Sequence, residues 1–164
     1  MRIRAADAGD AECIADIYNE GIEDRVATFE TAPRTADDVA RWFDGLPFVV
    51  AVDGAGELVG FARVSAYSDR RAYNGVGEHA VYVARSARGR GLGRRLLDEL
   101  ATAAEDAGFY KLTSRVFSDN TASLAAHRAA GFEEVGVQRR HGRLDGEWKD
   151  CVLVERLLGA AADA

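Results

Sequence analysis

The chain has 164 residues, 48 % hydrophobic and 29 % charged, a size that suits one domain burying roughly 70 % of its unfolded surface. Its net charge of −6 excludes a broadly electropositive nucleic-acid binder. Two distant cysteines, Cys13 and Cys151, exclude a disulfide framework or a zinc cluster, and no apolar run is long enough for a membrane span.

Met1 to Ala5 alternates apolar and polar residues, the pattern of a short strand. The segment MRIRAADAGD lacks the apolar core of a signal peptide, so the expected compartment is the cytoplasm. Asp10 is placed to cap a helix reaching about Glu20, with Cys13, Ile14, Ile17 and Tyr18 on its inner face. A loop from Gly21 to Pro33 carries the apolar Phe29. Thr35 then opens a second helix bearing Val39, Trp42 and Phe43. Phe48–Val52 and Leu58–Val64 read as a hairpin around Asp53-Gly54-Ala55-Gly56. Ala80–Val83 is a further strand. Gly91–Ala107 is the clearest helix, with Leu92, Leu96, Leu97, Leu100 and Ala104 at helical spacing and Gly108 after its end. Leu112–Phe117 reads as a strand, Asn120–Ala130 as a helix closed by Gly131, and segments near Val135–Arg139 and Val152–Leu157 as the last strands. Gly159 to Ala164 is expected to fray. The order β-α-α-β-β-β-α-β-α-β-β predicts a single α/β domain over residues 1–164, a mixed sheet with helices on both faces.

One segment carries chemistry. After strand Val81-Tyr82-Val83 comes Arg88-Gly89-Arg90-Gly91-Leu92-Gly93, a Gly- and Arg-rich turn leading into the long helix. Glycines let a ligand approach the backbone, and the first N–H groups of a helix have no internal partner and carry its positive dipole end. A diphosphate is the expected guest, with Arg85, Arg88, Arg90, Arg94 and Arg95 as cations around it. The glycine spacing departs from the G-x-G-x-x-G dinucleotide fingerprint, and the Gly-Lys-Ser/Thr of nucleotide hydrolases is absent.

That hexapeptide resembles the acetyl-CoA pyrophosphate signature of the GNAT acetyltransferases, R/Q-x-x-G-x-G/A, and the element order is similar over almost the whole chain. Asn120 before a helix and Gly131-Phe132 after it resemble further family features. Within the family, Ile17-Tyr18-Asn19, Thr28-Phe29-Glu30-Thr31, Arg70-Arg71-Ala72-Tyr73, Glu78-His79-Ala80-Val81-Tyr82-Val83, Asp119-Asn120-Thr121-Ala122-Ser123, His127 and Trp148-Lys149-Asp150 resemble the phosphinothricin acetyltransferase group. That group acetylates the α-amine of phosphinothricin, methionine sulfoximine or arsinothricin.

The resemblance implies acetyl-CoA as cosubstrate without a metal, a small amino acid as acceptor and a homodimer. It implies that Glu78 is the base that deprotonates the amine, a task suited to a carboxylate directly or through water. His127 is the family's candidate for protonating the departing thiolate. Val81, Tyr82 and Val83 are expected to pair with the pantetheine arm, the N–H near Val83 steadying the thioester oxygen. Asn120 and Ser123 are expected at the pantetheine or at the helix start; from sequence alone Asn120 is equally a plain N-cap. Arg70, Arg71 and Tyr73 form a loop expected to hold the substrate's acidic groups. Phe29 would cover the substrate or fill the core. His79 and His141 have no evident partner, and Cys13 and Cys151 read as core residues. A peptide or polyamine acceptor, or a non-catalytic acyl-CoA-binding domain, are the competing readings; the paired arginines disfavour the polyamine and Glu78 the non-catalytic domain.

Overall fold

The computed structural model describes residues 1–164 and has one seven-stranded sheet in the order β1-β2-β3-β4-β5-β7-β6. The strands are β1 (Arg2–Ala5), β2 (Phe48–Val52), β3 (Leu58–Ala66), β4 (Val76–Val83), β5 (Lys111–Phe117), β6 (Glu133–Leu144) and β7 (Glu147–Leu157). The helices are α1 (Ala11–Asp24), α2 (Ala36–Ala40), α3 (Leu92–Asp106), α4 (Thr121–Ala129) and α5 (Ala160–Asp163). Only β4 and β5 run parallel; every other neighbouring pair is antiparallel.

Register divides the side chains between two faces. Phe61 opposes Tyr82, Arg63 opposes Ala80 and Ser65 opposes Glu78 across β3–β4, so these residues share a face. Tyr18 of α1 packs edge-on against Tyr82, with ring centroids 5.0 Å apart, and so marks this face as the one covered by α1 and α2. The opposite face receives α3. Its Leu92, Leu96, Leu97 and Leu100 are buried in the main core together with Ala62, Val64, Leu112 and Val154.

Several local expectations are corrected. Asp10 stands at the N-cap position of α1 but makes no side-chain capping hydrogen bond there. Its carboxylate accepts two hydrogen bonds from Arg4 at 2.8 and 2.9 Å, while Asp7 caps the preceding 3-10 turn. Cys13 is exposed, whereas Cys151 is buried. The second helix spans only five residues, although Thr35 does cap it. β4 starts at Val76, four residues ahead of the expected strand, and residues 160–163 form a helical turn instead of a frayed end.

The largest difference is at the end of the chain. β6 and β7 form one long hairpin joined by Asp145-Gly146, both at positive φ (52° and 82°). This is the Asp-Gly turn that matches the twist of paired strands. β6 hides from a periodicity reading because it is mostly solvent-facing and its register shifts twice, at Glu134/Gly136 and Gln138/Gly142.

Candidate active site

The parallel pair β4–β5 is short. Val76, Gly77 and Glu78 pair with Lys111, Leu112 and Thr113. Beyond them β4 continues to Val83 and β5 to Phe117 without pairing to each other. The two strands therefore diverge, and the backbone of β4 from His79 onward has a free side. Ala84 N–H donates to Val59 O on the β3 side at 2.8 Å. Alternation along the strand turns the N–H groups of Val81 and Val83 the other way, into the split.

The Gly-rich turn stands at the far end of this split. Gly91 is the N-cap of α3 at φ 75°, ψ 13°, with no side-chain cap, and Gly89 has φ 79°. Only glycine adopts that left-handed conformation at little cost. The N–H groups from Gly89 to Arg94 make no backbone hydrogen bond, and open space lies where a Cβ at Gly89 or Gly91 would project. These donors converge at the positive end of a 15-residue helix.

The arginines around this turn are unequally available. Arg85 is gripped by Glu20, Glu23 and Asp24 at 3.4, 3.3 and 2.8 Å. Arg88 pairs with Asp24 at 2.6 Å, and its Nε donates to Val83 O at 3.2 Å. The hydrogen bonds from Arg85, and then those from Arg88, hold the Asp24 carboxyl below the usual carboxylate range. Arg94 lies 3.8 Å from Asp98, and Arg95 reaches Met1 O at 3.5 Å. Arg90 has no carboxylate within salt-bridge distance.

The other side of the split is a cleft of about 520 Å³ walled by β4, β5, β6 and β7. Glu78, Tyr73, Tyr67, Tyr110, Arg115 and Gln138 line it. Glu78 sits in the last paired row of β4–β5, where the strands begin to part. Tyr73 stands against Tyr67, ring centroids 6.0 Å apart, and Tyr110 Oη donates to Ala72 O at 3.2 Å, which ties the 70–73 loop to the rim. Arg70 and Arg71 are exposed on the same loop and do not line the cleft.

Phe29 meets Phe117 edge-on, centroids 4.7 Å apart, and lies against Gly142, where a Cβ would come within 2.6 Å of its ring. It thus closes the Phe117 end of the wall. Asn120 accepts from Ser123 N–H at 3.2 Å as the N-cap of α4 and donates to Val26 O at 3.0 Å. It joins the helix start to the loop that carries Phe29.

His127 lies away from this cleft. It is 3 % exposed, and its Nε2 is 2.9 Å from Nε2 of His79, itself 3 % exposed. His127 Nδ1 is 2.8 Å from Ser123 O, and a carbonyl only accepts, so Nδ1 bears the proton. With His127 neutral, Nε2 accepts and His79 Nε2–H donates. Burial pushes both imidazoles below their ordinary pKa, and His79 is lowered further by His127. Sequence reasoning found no partner for His79, because 48 residues separate the two rings.

Comparison with known proteins identifies the family. The family described as Acetyltransferase (GNAT) family matches residues 14–132. The chain belongs to the GNAT acetyltransferase family. A Pseudomonas aeruginosa L-methionine sulfoximine/L-methionine sulfone acetyltransferase is 34 % identical, the match covering 99 % of this chain and 97 % of that one. A phosphinothricin N-acetyltransferase of Alcaligenes faecalis is 37 % identical over 96 % of this chain and 83 % of its own length. The crystal structure of a GNAT superfamily phosphinothricin acetyltransferase from Sinorhizobium meliloti in complex with AcCoA matches with a TM-score of 0.92. It is 34 % identical, over 99 % of this chain and 91 % of that one.

With the family known, the chemistry of the two ends is distinct. This is an acetyltransferase, and the unpartnered N–H groups of the Gly-rich turn and the free edge of β4 suit the diphosphate and the amide-bearing arm of acetyl-CoA. No helix is long and apolar enough to cross a membrane.

Proposed function

We propose that the protein acetylates the α-amine of a small glutamate-like amino acid of the phosphinothricin, methionine sulfoximine or arsinothricin type, a detoxification activity that confers resistance to such compounds. The observation that carries this reading is the position of Glu78, in the cleft wall at the row where β4 and β5 part. A carboxylate there meets an amine entering from the cleft, on the opposite side of the split from the Gly-rich turn. The names of the relatives support the acceptor class.

Bound acetyl-CoA would supply the acyl group as a thioester; attack by the amine forms the C–N bond and breaks the C–S bond, and the proton that the amine loses is passed on through Glu78 and water to the departing thiolate. Glu78 accepts the proton that the amine must lose, directly or through a water. The Val83 N–H donates to the thioester oxygen as negative charge grows there. Gly89, Arg90, Gly91, Leu92, Gly93 and Arg94 hold the diphosphate, Arg88 braces the turn against Val83 and Asp24, and Val81 with Tyr82 carries the pantetheine arm along β4. Asn120 and Ser123 fix the start of α4 beside it. His127 serves this reaction through His79 and the underside of β4, since both of its ring nitrogens are engaged. Tyr73 and Phe29 border the acceptor, and Arg70 and Arg71 attract anions to the rim.

The protein acts, in this reading, as a cytoplasmic homodimer. Exposed Val135, Val137 and Trp148 on the β6–β7 hairpin, the latter two 58 % and 57 % exposed, support a second copy packing there. The unpaired Cys13 and Cys151 suit a reducing compartment. The test is thiol release from acetyl-CoA with phosphinothricin, methionine sulfoximine, methionine sulfone and arsinothricin, against spermidine and a short peptide. The amino acids are expected to give the highest kcat/KM. Preference for spermidine or the peptide would overturn the substrate class and leave the acetyltransferase activity standing.

A further inference from the structure

Alternation along β5 sends Lys111, Thr113, Arg115 and Phe117 to the cleft face, because Thr113 directly opposes Glu78 in the parallel register. Two of these are cations, and their surroundings differ. Lys111 is neutralised by an ion pair with Glu155, its neighbour on the cleft wall. Arg115, two residues beyond the row of Glu78, has no carboxylate within salt-bridge distance. Its Nε donates to the neutral Gln138 Oε1 at 2.8 Å. That bond holds the guanidinium plane by one edge while adding no opposing charge. Both Nη groups stay free, and these are the pair of donors a carboxylate accepts in parallel.

We propose that Arg115, oriented by Gln138, is the residue that binds the α-carboxylate of the acceptor amino acid. An α-amino acid carries its amine and carboxylate on one carbon. A substrate whose amine lies at Glu78 therefore presents its carboxylate within one or two strand positions, roughly 3.3 Å of rise each, which is where Arg115 stands. The arrangement also separates the two charges of the zwitterion correctly, with the ammonium against the carboxylate of Glu78 and the carboxylate against the guanidinium. Arg70 and Arg71 lie outside this wall, so the cleft itself supplies the anion recognition that the sequence suggested for their loop. Lys111 cannot share the task while Glu155 holds it.

This assignment rests on the amino-acid acetyltransferase reading, and the experiment separates the two. L-methionine sulfone bears its only negative charge on the α-carboxylate; its α-carboxamide bears none. Steady-state thiol release is measured for both acceptors with the wild type, Arg115→Gln and Arg115→Lys. For Arg115→Gln, KM for methionine sulfone is expected to rise about 10- to 150-fold, the loss typical of a charged hydrogen bond. KM for the carboxamide and for acetyl-CoA should change less than about 3-fold. Arg115→Lys keeps the charge but not the fork and is expected to raise the acid's KM by about 5- to 10-fold, which also tests the idea should the glutamine variant fail to fold. A rise shared equally by acid and carboxamide would mean a structural role and overturn the assignment, as would an unchanged KM for the acid. A wild type that acetylates no amino acid in the panel would overturn the substrate reading and this assignment with it.

Discussion

The two ends of the split between β4 and β5 are built in different ways. The Gly-rich end is made by one contiguous run, Val83 to Arg94, and its donors are backbone N–H groups whose direction is fixed by the start of a helix. The Glu78 end is lined by side chains from β4, β5, β6 and β7 together with Tyr67, Tyr73 and Tyr110, residues far apart in the chain that the fold brings to one cleft. A backbone site keeps its chemistry while its side chains vary, provided the glycines remain. A side-chain site changes its specificity with one or two substitutions. The contrast suits a family whose members share an acyl donor and are named for different acceptors.

The largest expected effect is at the acceptor end. Glu78→Gln keeps the size of the side chain but removes the base, and kcat is expected to fall by about 10²- to 10⁴-fold. The deficit should shrink as pH rises and more of the amine is free. Full turnover by the variant at neutral pH would remove Glu78 from the chemistry.

At the opposite end, Gly91→Val places a β-branched residue at φ 75°, and Kd for acetyl-CoA in calorimetry is expected to rise by about 10²-fold or more as strain and bulk meet the diphosphate site. KM for the amino acid should change little. An unaltered Kd would show that the turn does not hold the donor.

A smaller effect separates wall from rim. Arg70→Ala, on the exposed loop, is expected to raise the acceptor KM by only about 3-fold at low salt, a difference that fades as salt screens it. A loss as large as that predicted for Arg115 would move recognition out to the loop.

The subtlest expectation concerns the ring pair beneath β4. His79 and His127 have pKa values lowered by burial, so the folded state favours their neutral forms. Their contribution to stability is complete above about pH 6.5, the ordinary histidine value, and is lost as pH falls below it. The wild type should lose more Tm between about pH 7.5 and pH 5.5 than a His79→Gln/His127→Gln variant. Equal losses would mean that the pair is not the acid-sensitive element.

What the sequence discloses follows the same division. The long helix, the Gly-rich turn and the hairpin at Asp53–Gly56 are local, and their residues stand next to one another in the chain. Glu78 stands out in the sequence only through resemblance, because nothing in its neighbours reveals that β4 and β5 part at its row. Arg115 and Gln138 were not legible at all. Their meeting depends on β5 pairing with β7 and β7 with β6, and the sequence pattern marks only five of the twelve residues of β6. The contact between His79 and His127 has the same cause, two histidines joined only by the packing of α4 on the sheet. Phe29, left between core and substrate by its sequence, meets Phe117 and Gly142, residues of two strands that only the fold brings to it.

The proposed transfer requires one continuous passage through the β4–β5 split, from the Gly-rich turn to the Glu78 wall. A bisubstrate ligand tests it directly: coenzyme A with its sulfur linked by an –S–CH2–CO– bridge to the amine of L-methionine sulfone, titrated by calorimetry. Joining two occupants of one passage is expected to give a Kd at least about 10²-fold below that of coenzyme A alone, with the gain lost in Arg115→Gln. A bisubstrate that binds no more tightly than coenzyme A would contradict the claim.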